Sequence, residues 1–150
     1  MNGDLATAGL GALFLAALVA ATLLPAQSEV VLTAMLLAGR WDPAVLVAVA
    51  TAGNVAGSLV NWLIGRFFSD LRDARWFPFP AAALERAEQC FRRFGLPVVL
   101  LSWVPIIGDP ITLVAGLLRV RLIPFLLVVT LAKGGRYVVL AAIVLGIVRW

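Results

Sequence analysis

The long uncharged runs in this chain constrain its fold more than any other feature. Leu5 to Leu24 and Pro43 to Gly65 are runs of 20 and 23 residues without a charged side chain. About 20 apolar residues in a helix cross the ~30 Å hydrocarbon core of a bilayer. Only 13% of the 150 residues are charged, against roughly 25% in ordinary globular domains. We therefore expect an all-α integral membrane protein with one membrane domain over residues 1–150.

Two further apolar segments are too short or too interrupted to cross alone. Val30 to Gly39 has 10 residues, or about 15 Å of helix. Gly95 to Leu118 contains Pro105, Gly108, Asp109 and Pro110, and a proline inside a helix costs about 3 kcal/mol. We expect Val30 to Gly39 to enter the bilayer and return, or to lie buried against protein, and Gly95 to Leu118 to break into two short arms that form a re-entrant hairpin. Leu122 to Val148 is again long enough to cross.

A polar stretch from Arg66 to Phe94 separates the two halves and must lie outside the hydrocarbon. Within it, Trp76-Phe77-Pro78-Phe79 predicts an interfacial aromatic anchor. From Pro80 to Phe94 apolar residues recur at helical spacing, and Gly95 ends the pattern. We predict a short amphipathic helix on the membrane surface.

The two halves repeat the same features in the same order. Each has an acid four residues after a proline (Glu29 and Asp109), then an Ala-Gly pair, an arginine and a long helix with a proline near its start. One crossing per unit is an odd number, so the second unit is inserted upside down. The predicted fold is an inverted repeat of two re-entrant helical hairpins, each followed by a transmembrane helix. Repeat 1 covers about 5–66, the polar linker with the amphipathic helix 67–94, and repeat 2 about 95–150.

Charge placement predicts the orientation. With both hairpins returning, eight arginines lie on one face and two on the other; if the second hairpin crossed fully, the division would be seven against three. The positive-inside rule favours the first arrangement, with residues 66–94 cytoplasmic. Met1 to Asp4 lack the basic region of a signal peptide, so we expect the first run to be retained.

Composition limits the chemistry. The chain has no histidine and one cysteine, so we expect no cofactor and no metal centre, and any catalysis would rest on carboxylates, hydroxyls, lysine or arginine. The net charge is +4, but the basic residues lie at the ends of apolar runs or inside them, so we expect no nucleic-acid partner.

Lys133 and Arg136 lie near the middle of the last apolar run, three residues apart and so on one helix face. A charge at mid-bilayer costs at least about 2.5 to 3.5 kcal/mol and calls for a partner or a task. We expect Glu29 and Asp109 to be those partners and to carry protons. Gly134-Gly135 would let another backbone approach. We expect an anionic headgroup to bind Lys133 and Arg136, together with two further arginines, Arg119 and Arg121.

Structural roles compete with these functional ones. Asp109 before Pro110 is a good helix N-cap, as is Asp42 before Pro43. Glu29 could merely neutralise Lys133 or Arg136. Two arginines could merely extend to the membrane edge, namely Arg119 and Arg121. Two asparagines could form hydrogen bonds to neighbouring helices, namely Asn54 and Asn61. Three serines have no base beside them and could play no catalytic part, namely Ser28, Ser58 and Ser102.

Ser102-Trp103-Val104-Pro105-Ile106-Ile107-Gly108-Asp109-Pro110, leading into Leu113 to Val120, resembles the second signature of the DedA family. This family is also called the VTT-domain or SNARE-associated Golgi protein family. The Gly-Asp-Pro version and the short length are most similar to its small YqaA-like bacterial branch. Gln27-Ser28-Glu29, Ala52 to Gly57 and Gly65-Arg66 resemble the first-half signature.

The resemblance implies two facing re-entrant hairpins, residence in the bacterial inner membrane, and proton-coupled movement of lipids or lipid-linked phosphate carriers between leaflets. Typical members have arginine where this chain has Ser102 and Gly108. If those arginines bind phosphate in the family, this chain must use other cations, such as Arg119, Arg121, Lys133 or Arg136, or carry a different substrate.

Three functions therefore stand at this stage. The first is a proton-coupled flippase or scramblase, which is not an enzyme and has lipids and protons as partners. The second is a lipid-acting membrane enzyme with Glu29 and Asp109 as acid and base. The third is a non-transporting scaffold or small channel. Two crossings make a thin wall around a pathway, which is compatible with a homo-oligomer.

Overall fold

The structure, a computed structural model, describes residues 2–21, 27–67 and 79–148. Over these ranges it contains helices and no strand. The proline predicted to end the first run, most of the aromatic anchor and three of the arginines in the orientation argument lie outside the described residues: Pro25, Trp76-Phe77-Pro78, Arg72, Arg75 and Arg149.

Within these ranges, six α-helices and one 3₁₀ helix follow the predicted segments. They are α1 (Asn2–Ala20), α2 (Gln27–Ala38), α3 (Pro43–Phe67), α4 (Ala81–Phe94), a 3₁₀ helix (Leu96–Trp103), α5 (Gly108–Leu117) and α6 (Leu122–Val148). Three of them, α1, α3 and α6, are long and apolar enough to cross a membrane. The predicted cap at Asp42 is confirmed, because the Ala44 N–H donates to Asp42 Oδ1 at 2.7 Å. The break in the second half is confirmed as well.

The first two helices form a hairpin, which we call the first hairpin (α1 and α2). Trp41, just after α2, donates its indole N–H to the Ala6 carbonyl at 3.3 Å, so the end of α2 lies beside the beginning of α1. α1 packs backbone to backbone along α3, since a Cβ at Gly53 would collide with the Phe14 carbonyl and one at Gly57 with the Leu18 carbonyl. The tip of this hairpin therefore lies far along α3.

The 3₁₀ helix and α5 form the second hairpin. Glycines again allow two helices to approach closely, here α3 and α5. Gly65 of α3 lies against Leu113, and Gly116 of α5 lies against the Trp62 carbonyl. α6 runs antiparallel to α3, with the ring of Phe125 6.2 Å from that of Trp62 near the beginning of α6. Each of the two long helices thus contacts both hairpins: α3 packs against α1 and α5, and α6 packs against α2 and the 3₁₀ helix.

The predicted amphipathic helix is confirmed as α4. It begins after Pro80 and ends at Gly95, which has φ +69° and donates its N–H to the Phe91 carbonyl at 2.8 Å. Its apolar residues Leu84, Ala87 and Phe91 are buried in one cluster with residues of the 3₁₀ helix and α5, whereas Phe94 is 60% exposed. The apolar face of α4 is therefore covered by protein.

Candidate functional site

The polar residues of α6 meet the tips of both hairpins. Lys133, Arg136 and Tyr137 occupy the middle of this 27-residue helix. Lys133 lies 11 residues after Leu122, or about 16 Å along the helix axis. Glu29 lies in the first turn of α2 and Asp109 in the first turn of α5, so both acids sit where a hairpin turns back.

Asp109 pairs with Lys133. The Lys133 ammonium donates to Asp109 Oδ1 at 3.1 Å, and the side chains of Lys133 and Asp109 are only 2% and 16% exposed. The expectation that Asp109 caps a helix is wrong, because α5 begins at Gly108 and has no side-chain cap. The low-dielectric surroundings of Lys133 draw the carboxylate toward α6, since an unpaired buried ammonium is far more costly than an uncapped helix end.

Glu29 pairs with Arg136, and Arg136 also holds the second hairpin. Arg136 Nε lies 3.4 Å from Glu29 Oε1, with the side chains 14% and 29% exposed. Arg136 Nη1 donates to the carbonyl of Trp103 at 3.1 Å. One guanidinium therefore contacts both hairpins, and the sequence had left open which cation Glu29 would take.

Tyr137 joins three helices and was missed by the sequence analysis. Its fully buried hydroxyl accepts a hydrogen bond from Asn54 Nδ2 at 2.7 Å and shares another with Ser28 Oγ at 2.8 Å. Tyr137 is the chain's only tyrosine, and it follows Arg136 directly inside an apolar span. That polar side chain in an apolar run was the available signal.

The two asparagines of α3 are interhelical hydrogen bonders, as predicted. Asn54 reaches Tyr137 of α6, while Asn61 Nδ2 donates to the Ala21 carbonyl at 2.8 Å and to Thr112 Oγ1 at 3.3 Å. Thr112 in turn donates to the Asp109 carbonyl at 2.7 Å. The tip of the first hairpin and the start of α5 are thereby tied to the same stretch of α3.

A small cavity lies between these groups. Its volume is about 10 Å³. The cavity therefore has room for roughly one water and none for a phosphate group. It is lined by Ala20, Asn54, Ser102, Val104, Pro105, Asp109, Lys133 and Arg136. The charges at the site cancel: Lys133 and Arg136 give +2, and Glu29 and Asp109 give −2.

Arg119 and Arg121 are not brought to this site. Both are exposed in the connection between α5 and α6. Arg121 lies 12 residues before Lys133, which is about 18 Å along the axis of α6. Arg119 has φ +57°, and the N–H of Val120 returns to the Ala115 carbonyl to close α5. Trp62 Nε1 donates to the Val120 carbonyl at 3.2 Å, which fixes this connection to α3.

The expectation that Gly134 and Gly135 admit another backbone is wrong. A Cβ at Gly134 would meet the side chain of Thr51 at 3.3 Å, and one at Gly135 would meet the ring of Trp103 at 3.5 Å. The glycines therefore make room for a methyl group and an indole ring, because α6 meets its neighbours through side chains at this level.

The fold and the site define a multi-pass helical membrane protein whose long final helix pairs two cations near its middle with acids from two hairpins. The VTT domain family matches residues 5–145. The chain is 44% identical over 139 residues to inner membrane protein YqaA of Escherichia coli K12, covering 92% of this chain and 93% of that protein. The YqaA protein of Shigella flexneri gives the same values. An uncharacterized protein of Haemophilus influenzae is 36% identical over 135 residues, covering 85% of this chain and 82% of that one.

No solved structure matched the chain. The family match over nearly the whole length and the identity to the YqaA proteins show that this chain belongs to the VTT-domain (DedA) family.

Proposed function

We propose that this protein is a proton-coupled flippase or scramblase that moves anionic lipids or lipid-linked phosphate carriers between the leaflets of the bacterial inner membrane. The observation that carries the proposal is the pair of ion pairs, Lys133–Asp109 and Arg136–Glu29, on one helix between two hairpin tips. The YqaA relatives are inner membrane proteins, which supports the same location for this chain.

Hairpin depth supports a re-entrant, inverted-repeat arrangement. The first hairpin turns near Ala21, whose carbonyl accepts from Asn61, and α3 continues six residues further, or about 9 Å, to Phe67. The second hairpin reaches Arg136 through Trp103, and α6 continues 12 residues further, or about 18 Å, to Val148. Each hairpin thus stops short of the far end of a long helix. In the proposed arrangement the positive-inside rule puts residues 66–94 on the cytoplasmic side.

The neutral charge balance supports coupling to protons. An anionic headgroup that bound Lys133 and Arg136 while both acids stayed ionised would leave excess negative charge buried, which is costly. Protonation of Asp109 or Glu29 frees one cation for each proton taken up. We therefore expect one proton to accompany each negative charge on the headgroup.

Substrate access requires the hairpins to separate, because the cavity holds about one water-sized molecule. Arg119 and Arg121 lie exposed at the end of α6 from which the second hairpin enters. In the proposed cycle they attract the headgroup at the membrane surface, and Lys133 and Arg136 bind it inside.

The test is leaflet exchange of a reporter anionic lipid by purified protein in liposomes, with and without a pH gradient. We expect pH-dependent exchange that Asp109→Ala and Glu29→Ala abolish while the protein still inserts. Glu85→Gln, which changes an exposed carboxylate on α4, is the matched control and should leave exchange intact. A new lipid product would instead identify an enzyme. Absence of exchange by the unmodified protein would indicate a scaffold or channel.

A further inference from the structure

Three buried polar groups from three elements face the same cavity. Asn54 Oδ1 of α3 and Ser102 Oγ of the 3₁₀ helix belong to residues that are each 2% exposed, and neither atom has a hydrogen-bond partner among the described residues. Arg136 Nε makes no well-formed hydrogen bond there either, although it lies 3.4 Å from Glu29. All three residues line the cavity of about 10 Å³ beside Lys133 and Asp109.

The chemistry of the lining selects the occupant. Buried polar atoms almost always have partners, and a cavity of this size accommodates about one water. A metal ion would meet the ammonium and the guanidinium, and an anion would meet the oxygens of Asn54 and Asp109. Water alone can both donate to these oxygens and accept from the cations.

We propose that the cavity binds one ordered water and that this water joins the two ion pairs into a single hydrogen-bonded network. On one side the water donates to Asp109, the partner of Lys133, and accepts from Ser102. On the other it accepts from Arg136, the partner of Glu29, and donates to Asn54, whose amide continues to Tyr137. Loss of charge at Asp109 would then change the bonding of Arg136. The proposal does not require that the protein transports anything.

Ser102→Ala gives opposite results with and without the water. If Ser102 Oγ has no partner, its removal relieves a buried unsatisfied hydroxyl and should raise the unfolding temperature. If a water is bound, the substitution removes one of its hydrogen bonds and should lower the unfolding temperature, which is our expectation. Ser58→Ala is the matched control, because Ser58 is equally buried but donates to the Asn54 carbonyl at 3.0 Å, so this variant should lower the temperature in either case.

A second measurement tests the coupling. We expect the shifts in unfolding temperature for Asp109→Asn and Glu29→Gln to be non-additive in the otherwise unmodified protein and closer to additive once Ser102→Ala is added. A rise in unfolding temperature for Ser102→Ala, or additive shifts in both backgrounds, would overturn the proposal. An experimental structure at a resolution that shows ordered water decides the matter directly if Ser102→Ala fails to fold: a solvent peak at this position supports it, and apolar closure of the space overturns it.

Discussion

Removing one partner of the Lys133–Asp109 pair should destabilise the protein more than removing one partner of any other charged contact among the described residues. Asp109→Asn leaves an ammonium that is 2% exposed without its carboxylate at 3.1 Å. Breaking a buried pair from one side costs about 3–5 kcal/mol. For a chain of this length 1 kcal/mol shifts the unfolding temperature by roughly 2–4 °C, so we expect a drop of about 6–20 °C. The assay is thermal unfolding in lipid nanodiscs, followed by the fluorescence of the five tryptophans.

Two comparisons make this prediction specific. Glu29→Gln should cost only about 1 kcal/mol, because Arg136 keeps its hydrogen bond to the Trp103 carbonyl and Glu29 is 29% exposed. Lys133→Met combined with Asp109→Asn should recover most of the loss, since neither charge is then left unpaired.

The loss of stability in Asp109→Asn and the loss in Lys133→Met should depend on pH in opposite directions. Asp109→Asn leaves the buried Lys133 ammonium unpaired. Because this group is no longer charged once it loses its proton, the loss of stability becomes smaller as pH rises. With Lys133→Met the orphan is a carboxylate, which becomes harmless once protonated, so the penalty shrinks as pH falls. Equal losses for Asp109→Asn and Glu29→Gln, or a double variant no more stable than the worse single one, would refute the reasoning.

Three further predictions, on helix packing, buried hydrogen bonding and backbone strain, are each tested by measuring the unfolding temperature. Gly116→Ala should destabilise by several kcal/mol because a Cβ there would collide with a backbone carbonyl of α3, whereas Gly146→Ala, in open space, should stabilise by up to about 1 kcal/mol through helix propensity; a neutral Gly116→Ala would contradict the close approach. Tyr137→Phe should cost about 1–3 kcal/mol by leaving buried partners on two helices unsatisfied, and a neutral result would mean that its hydroxyl is dispensable. Ile106→Gly should stabilise by about 1 kcal/mol because Ile106 has φ +73°, while Ile107→Gly, at φ −83°, should destabilise; the same sign for both would exclude backbone strain at Ile106.

Helix limits followed from the sequence because local features determine them. Uncharged runs, prolines and Gly95 marked the ends of α3, α4 and α6 closely, and the proline-rich break between the 3₁₀ helix and α5 was evident from hydrogen-bond loss alone. The interhelical hydrogen bonds of the asparagines of α3 were also predictable, because an amide in an apolar helix needs a partner on another helix.

Pairing within the site did not follow from sequence because it depends on how the helices pack. Asp109 has a local use as a cap and a distant one as the partner of Lys133, and only the position of α6 decides between them. Arg119 and Arg121 looked equivalent to Lys133 and Arg136 as cations near apolar runs, yet they lie exposed just before the beginning of α6 and not at its middle.

The location of the cations on α6 has a mechanical consequence for the proposed transport cycle. At the two positions where the family resemblance implies arginine, this chain has Ser102 and Gly108. A Cβ at Gly108 would lie 2.6 Å from the Ser102 carbonyl oxygen, so a larger side chain has no room there. Of the charged groups in the two ion pairs, the hairpins contribute the acids and the long helix contributes both cations. Movement of either hairpin away from α6 would separate an acid from its partner inside the bilayer, which is costly unless the acid is protonated or an anion replaces it. In this chain hairpin opening, proton uptake and headgroup binding would consequently be one event, and a variant with neutral residues in place of both members of one pair should open that hairpin without a proton.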